Sequence, residues 1–589
     1  MSLKFLAILA ASAAAAPLVE RTLLPPFSLP NGQALRASGV ATKRVGFQYA
    51  PGIGGGVYSP GGTLGLALIA NDEAITTLDL TAEAGVSGPD LTKATLDVAK
   101  YNNLQSLSDY VKLYSDEWVL SSSPTGQMPG MLTNYTQDLL FSMERLSLNP
   151  FAVRRLIPGS DSVPFNVDST IVQDVTGSSL SSLLSAGRLF YVDHSDQAAL
   201  APTAQYGASC DALFYLSESS NQFLPLAIRT NVPNANKLIY TPKDSANDWL
   251  LAKIMFNVDD FFHGQFHHLA ATHYVAEVAF QAAERTLSDN HPILAVFKRL
   301  MYGAFGIRPL AVVVLLRPGG DIDQFFAHTG SAAGDYSANL YSTGGAGDVM
   351  NNYLLTNLEK RGLINSSAGP ALPHFPYYED ALAIYNSVHT FMTSFVNSYY
   401  SSDSAIVNDS ELQAWMTEAN GAAGAVNFPT SSTMNTRGAL ADLLTHMAHI
   451  VSTAHHTVNT NNLITGGGVL PFNPSAIYKP VPTAKGVTDV ASYLIGIDQV
   501  LNMIENQAFF SRPLVANSNR TVSNMFNDPV MLGRMNSATR AANTQFMSEM
   551  NAQSAAVSSR QFDANGLCQG MPFIWRTLDP NVIPFTLTI

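Results

Sequence analysis

Cysteine is nearly missing from this sequence, which has only Cys210 and Cys568 in 589 residues. That excludes a disulfide scaffold and leaves two options open: one bridge in an oxidising compartment, or two buried free thiols. Charge is sparse as well: Asp, Glu, Lys and Arg make up 13% of the chain against 46% hydrophobic residues, so a large core can be buried in one large or two fused domains. Basic residues are outnumbered 32 to 45, no dense Lys/Arg run occurs, and the formal charge is -13, which excludes nucleic acid as a partner. Long apolar runs are lacking. No uninterrupted stretch after the first residues reaches the roughly 18 needed to cross a bilayer, so no transmembrane segment is expected. The cluster Gly52-Ile53-Gly54-Gly55-Gly56 has no lysine after it and no strand-to-helix context, so it is not a phosphate cradle.

What is present begins at the amino terminus. Lys4, the apolar run from Phe5 to Ala11 and the small residues Ser12 to Ala16 before Pro17 form a secretory signal layout. Residues 1–16 are therefore expected to be a signal peptide, and the mature chain a soluble, secreted, extracellular protein. Acceptor triplets at Asn134, Asn365, Asn408 and Asn519 fit a glycoprotein on that route.

Residues 17–90 are expected to form an amino-terminal arm or irregular region, on the strength of Pro25-Pro26 and the glycine cluster. From residue 91 to 589 the pattern is mainly α, with apolar residues three and four apart, as in Leu104, Leu107, Tyr110 and Val111. One long helix is predicted over about 247–288. Between Phe261 and Ala283 its only charged side chain apart from histidine is Glu277, so this part belongs in the core. A second is predicted over about 436–464, with Leu440, Leu443, Leu444, Met447, Ile450 and Val451 facing inward and Gly466-Gly467-Gly468 as its stop. No internal repeat or interdomain linker is found.

Histidines concentrate on these two helices: His263, His267, His268 and His273 on the first, His446, His449, His455 and His456 on the second. A single histidine on an apolar helix is ordinarily a satisfied core residue. Eight need partners that a core rarely supplies, and a metal supplies them. His455 and Asn459 are four apart and share a helix face. His268 and His273 are five apart, about 140° on a regular helix, and converge only if the helix widens locally, which predicts a π-bulge between them. Three imidazoles and an amide form a donor set without sulfur that suits iron or manganese better than structural zinc. A zinc-dependent hydrolase with Glu277 as base is the alternative enzyme, although the order of a glutamate between two histidines four apart is missing. A non-catalytic lipid-binding protein is the alternative without chemistry.

The run His268-Leu269-Ala270-Ala271-Thr272-His273, followed by Ala276-Glu277, resembles the first metal-binding helix of lipoxygenases, and Ser452 to Asn459 resembles the second. The tail from Asp579 to Ile589 is similar to the end of that family, where a terminal isoleucine or valine carboxylate coordinates the metal. Asn149-Pro150, Leu189 to His194, Ile307 to Gly320 and Thr343-Gly344-Gly345 add to the likeness, which spans roughly 110–589. The amino-terminal β-barrel of plant and animal members is absent, and the secreted fungal branch, known for manganese, is the most similar.

The resemblance implies a large helical lipoxygenase-type catalytic domain and five metal ligands: His268, His273, His455, Asn459 and the carboxylate of Ile589. It implies one manganese per chain, with iron as the alternative, and a dioxygenase that inserts O2 into polyunsaturated fatty acids such as linoleic and α-linolenic acid. A metal-bound hydroxide abstracts the bis-allylic hydrogen, with no catalytic side chain beyond the ligands. Gly319 and Gly320 fall where the family places its oxygen-access residue, although Pro318-Gly319-Gly320 also fits a simple turn. Arg188 and Arg155 are candidates for the substrate carboxylate, each equally explained as a surface charge. His263, His267, His446, His449 and His456 are left as packing residues or neighbours of the ligands.

Overall fold

The computed structural model describes residues 24–32, 34–52, 56–100, 104–113, 128–459, 469–508 and 519–587. The expected signal peptide, the Gly466-Gly467-Gly468 stop and Ile589 lie outside these residues.

The fold is mainly helical, as expected, and residues 17–90 are a correction: they carry helix α1 (Ala34–Gly46) and the long α2 (Gly62–Val98). Proline and glycine occupy the links around these helices, which is where the irregular signal came from. The ion pairs Arg36–Glu411 at 2.5 Å, Arg44–Glu418 at 2.6 Å and Lys43–Glu284 at 3.3 Å hold α1 against the rest of the chain.

A five-stranded antiparallel meander follows: β1 (Arg154–Arg155), β2 (Leu189–Asp193), β3 (Asp211–Leu216), β4 (Phe223–Thr230) and β5 (Leu238–Tyr240), paired in chain order. Side chains alternate between its faces. Phe190, Val192, Ala212, Phe214 and Leu216 enter the main core, whereas Leu189, Tyr191, Leu213 and Tyr215 enter a smaller second cluster. Both faces are buried, so the strands read as continuous apolar runs and do not show the alternation that marks a strand in sequence.

The first predicted long helix is α3 (246–286), capped by the Ser245 hydroxyl on Asp248 N and composed of Ala246–His268, a π turn Leu269–Tyr274, and Val275–Thr286. Helix α4 (304–316) runs from Ala304–Ala311 into a second π turn, Val312–Leu316, after Pro309, which has no N–H to donate. Then come α5 (Leu354–Lys360), α6 (Pro376–Tyr399), the second predicted helix α7 (437–458) and α8 (Ser537–Ser558). Helix α7 is Arg437–His449, a third π turn Ile450–Ala454, and His455–Val458. Helix α6 packs on both α7 and α8, and α2 packs on α4.

By length and mean hydropathy the segment Pro292–Leu316 would pass as a membrane span, with 44% of its most apolar 18-residue window buried. A turn at 301–303 divides it into two helices, and its second half walls the cleft described below. Cys210 and Cys568 are both buried and free.

Candidate metal centre

Helices α3 and α7 lie side by side in the core, and the π turn in α3 falls between His268 and His273, as their spacing requires. One extra residue in that turn carries positions five apart onto one face. Ligand atoms of His268, His273 and His455 all lie within 4.8 Å of one another, and all three residues are buried. His273 Nε2 is 2.9 Å from His455 Nε2, and His268 Nε2 is 3.3 Å from the Asn459 amide. Their rings meet edge-on, with centroids 4.9 to 5.5 Å apart.

These residues fit a transition-metal ion. At 2.9 Å the two nitrogens either share one ring proton or turn both lone pairs toward a common cation. An ion holding nitrogens at about 2.1 Å in right-angle directions would set them about 3.0 Å apart. The buried Asn459 Oδ1 accepts no hydrogen bond among the described residues, which leaves it as a further donor to such an ion. Burial holds His268 far below the ordinary imidazole range, at about 3, so its ring is neutral and its lone pair available.

The surroundings fix these ligands. Asn459 N donates to His455 O at 3.0 Å, and Gln265 Nε2 donates to Val458 O at 3.0 Å, tying α3 to the end of α7. Glu277, one turn beyond His273, places Oε1 3.9 Å from His273 Nδ1 while its other oxygen accepts from Arg308 Nη1 on α4. Burial pushes the Glu277 carboxyl up, and the Arg308 guanidinium opposes that shift. Arg308 Nη2 donates to Val57 O at 2.7 Å. Gly56 explains that approach, because a Cβ there would sit 2.6 Å from the Tyr274 hydroxyl and 2.8 Å from Arg308 Nη2.

An apolar cleft of about 880 Å³, its open mouth included, ends at His268, His273 and Asn459. Phe266, Leu269, Ile307, Val314, Leu316 and Ile322 form its walls, and Arg308 is the one Lys or Arg lining it among the described residues. Its lining suits an apolar chain.

The other expected residues stand elsewhere. Gly319 is exposed with φ +73, its N–H donating to Asp323 Oδ2 at 2.7 Å. Gly320 is closed in by the carbonyls of Val314, Leu315 and Arg317, so the pair forms a turn and neither borders the cleft. Arg155 is buried and donates to the carbonyls of Gly187, Gly362 and Pro370, and Arg188 donates to Leu216 O and faces Glu218, so neither lines the cleft. Asn365, Asn408 and Asn519 are exposed, whereas Asn134 is half-buried with its amide on Pro572 O. Among the extra histidines, His263 contacts Asn149 and His194, and His456 bridges Asn459 O at 3.1 Å and Thr586 O at 3.2 Å. Sequence reasoning missed Arg308, although a lone arginine in the apolar run 307–316 was a signal that a buried acid faces it.

Three imidazoles and an amide on two buried, π-interrupted helices, open to an apolar cleft, define a mononuclear non-haem metal protein. A family model described as lipoxygenase matches residues 161–563. The manganese lipoxygenase of Fusarium oxysporum is 46% identical over 96% of this chain and 93% of its own length. That of Colletotrichum gloeosporioides is 45% identical over 94% and 91%. A solved manganese lipoxygenase superposes with a TM-score of 0.92 at 42% identity, covering 96% of this chain and all of its own. A coral 8R-lipoxygenase, at a TM-score of 0.76 and 20% identity, shares the fold alone. The chain belongs to the lipoxygenase family.

Proposed function

We propose that this protein is a manganese-dependent dioxygenase that adds O2 to polyunsaturated fatty acids such as linoleic and α-linolenic acid, giving hydroperoxides. The observation that carries this reading is the apolar cleft ending at His268, His273 and Asn459, with His455 completing the cluster. A bound manganese ion would supply the one-electron chemistry that starts and ends the reaction. The apolar walls exclude water and hold the diene next to the ligand cluster. Gln265 holds α3 against the end of α7, and Glu277 sets its carboxyl 3.9 Å behind His273 Nδ1.

Ile589 completes the ligand set in this reading. Its support is the course of the tail: Val522 N bonds Ile583 O at 2.8 Å, Phe585 N bonds Arg520 O at 2.8 Å, Arg299 stacks 4.0 Å from the Phe585 ring, and Leu587 is fully buried. Thr586 O reaches His456, the neighbour of ligand His455. Three further residues span roughly 10 Å, enough to bring a terminal carboxylate to the cluster.

Secretion and glycosylation belong to the same proposal, supported by the signal layout of residues 1–16 and by the exposure of Asn365, Asn408 and Asn519. Protein purified from the medium is expected to lack residues 1–16 and to lose mass on enzymatic deglycosylation. The decisive experiment for the reaction pairs elemental analysis with ultraviolet absorbance after adding linoleic acid. Stoichiometric manganese and a conjugated-diene rise are expected, whereas zinc with no diene signal sinks the proposal.

A further inference from the structure

Three of the histidines that hold no ligand role line a second cavity of about 590 Å³, its mouth included, which shares only His268 with the cleft. His267, His446 and His449 meet Arg361 and Tyr377 there, and no acidic residue among the described residues lines the space. Arg361 stands out. Its Nε donates to Asn357 Oδ1 at 2.9 Å and its Nη1 to Pro150 O at 2.6 Å and Val153 O at 3.0 Å, but it makes no ion pair among the described residues. Its Nη2 edge, which has no hydrogen bond among those residues, belongs to a half-buried side chain on the cavity wall. A half-buried guanidinium without a counter-anion carries part of its desolvation cost uncompensated.

The other polar groups are equally short of acceptors. His446 is 1% and His449 5% exposed, and the Nδ1 atom of each, like that of His267, has no hydrogen-bond partner among the described residues. Burial holds His446 at about 3 and His449 at about 4, so each is a neutral ring with one N–H to donate. The Tyr377 hydroxyl lies 3.4 Å from His449 Nε2, so the two share one proton across that contact and the pair keeps one further donor for the cavity. Asn352 and Asn357 are already used, since Asn357 Nδ2 donates to Asn352 Oδ1 at 2.8 Å and Asn352 Nδ2 to Gly345 O at 2.7 Å, which fixes the side chain that holds Arg361. One cation, several N–H and O–H donors and no carboxylate make a lining complementary to a planar oxyanion with two acceptor oxygens.

We propose that this cavity binds a carboxylate anion between the open edge of Arg361, the His446 imidazole and the one free donor of the Tyr377–His449 pair, behind metal ligand His268. The site is separate from the fatty-acid cleft and uses no group of the metal cluster as a donor.

The test uses the full-length, metal-loaded enzyme with difluoroacetate as probe, read by fluorine NMR line broadening at constant chloride. Saturable broadening at one site per chain is expected, weakened roughly tenfold or more in Tyr377→Phe and in His446→Leu. Arg361→Lys is the most direct variant but also loosens the hold on Pro150 and Val153. Tyr377→Phe keeps the ring packing, and a circular-dichroism melt verifies its fold. Absence of saturable binding to the wild type overturns the proposal. So does binding of unchanged strength in both variants, the result if the probe sits on the metal or on the surface. A second arm adds palmitate: competitive displacement of the probe assigns the site to a fatty-acid head group, and persistence of the signal assigns it to a small free carboxylate.

Discussion

His273 Nε2 and His455 Nε2 lie 2.9 Å apart although 182 residues separate them in the chain. Neither ring can donate to the other from that atom while both lone pairs point inward. In that tautomer the pair repels and an ion turns the contact into an attraction, whereas a proton on either Nε2 would make it a hydrogen bond.

Metal removal should accordingly cost stability as well as activity, since an ion that binds only the folded state stabilises it by mass action. Dialysis against a chelator is expected to lower the melting temperature, and stoichiometric manganese to restore it. His273→Ala is expected to abolish both the metal content and this response. A chelated protein that melts at the same temperature as the loaded one contradicts the arrangement.

The tail makes a second prediction. Appending one alanine after Ile589 moves the terminal carboxylate one residue onward without touching any described contact. Metal content and hydroperoxide formation are expected to collapse while the circular-dichroism spectrum stays native. Wild-type metal content in that variant removes Ile589 from the ligand set.

The Arg308–Glu277 pair is buried beside His273. Truncating one partner, as in Arg308→Met, leaves an uncompensated buried charge and should cost about 3–5 kcal/mol by chemical denaturation. Glu277→Gln, which keeps the shape, is expected to lower metal affinity or turnover by roughly 10- to 100-fold, the usual effect of losing a carboxylate behind a ligating histidine. The double variant Glu277→Leu/Arg308→Met should be less destabilised than the sum of its single changes. Strict additivity would show that the two groups do not act as a pair.

The two glycines after Pro318 should behave differently from each other. A Cβ on Gly319 meets nothing within 4 Å but has to adopt φ +73, so Gly319→Ala is expected to cost about 1 kcal/mol and leave the product profile alone. A Cβ on Gly320 would fall 2.6 Å from Leu315 O and 2.8 Å from Val314 O. Gly320→Ala therefore displaces the cleft wall and should shift the ratio of positional isomers seen by chiral chromatography. Equal product ratios in both variants would contradict that wall effect.

Acid should unfold the protein early. Burial holds His446 at about 3 and His449 at about 4, below the roughly 6.5 of an exposed ring. The unfolded chain then binds more protons than the folded one between these values, so stability is fully present above pH ~6.5 and falls as pH drops toward 4. Each ring should cost roughly 2 kcal/mol by pH 5. Denaturant titrations at pH 7 and pH 5 measure the difference, and His446→Asn should reduce it.

Much of this centre is legible in the chain because its signals are local. The four-residue step from His455 to Asn459 and the five-residue step from His268 to His273 are statements about helix geometry, and the second implies the π turn found at Leu269–Tyr274. The π turn at Ile450–Ala454 left no such trace, because no pair of ligands straddles it. Helices α1 and α2 were hidden by the proline and glycine around them, and the sheet by the burial of both its faces. Arg155 and Arg188 were singled out by charge alone. Sequence gives no warning that Arg155 spends its donors on three carbonyl groups from distant loops.

The widened turn in α3 sets two demands against each other. Deleting one residue from Leu269–Tyr274, Ala271 for example, would let α3 wind as an uninterrupted α-helix with better-aligned backbone hydrogen bonds. The same deletion would swing His273 about 100° around the axis, away from His268 and out of reach of any shared ion. The most regular helix this segment can form is thus an inactive one, and the enzyme keeps its chemistry only by retaining a local irregularity that folding alone would discard.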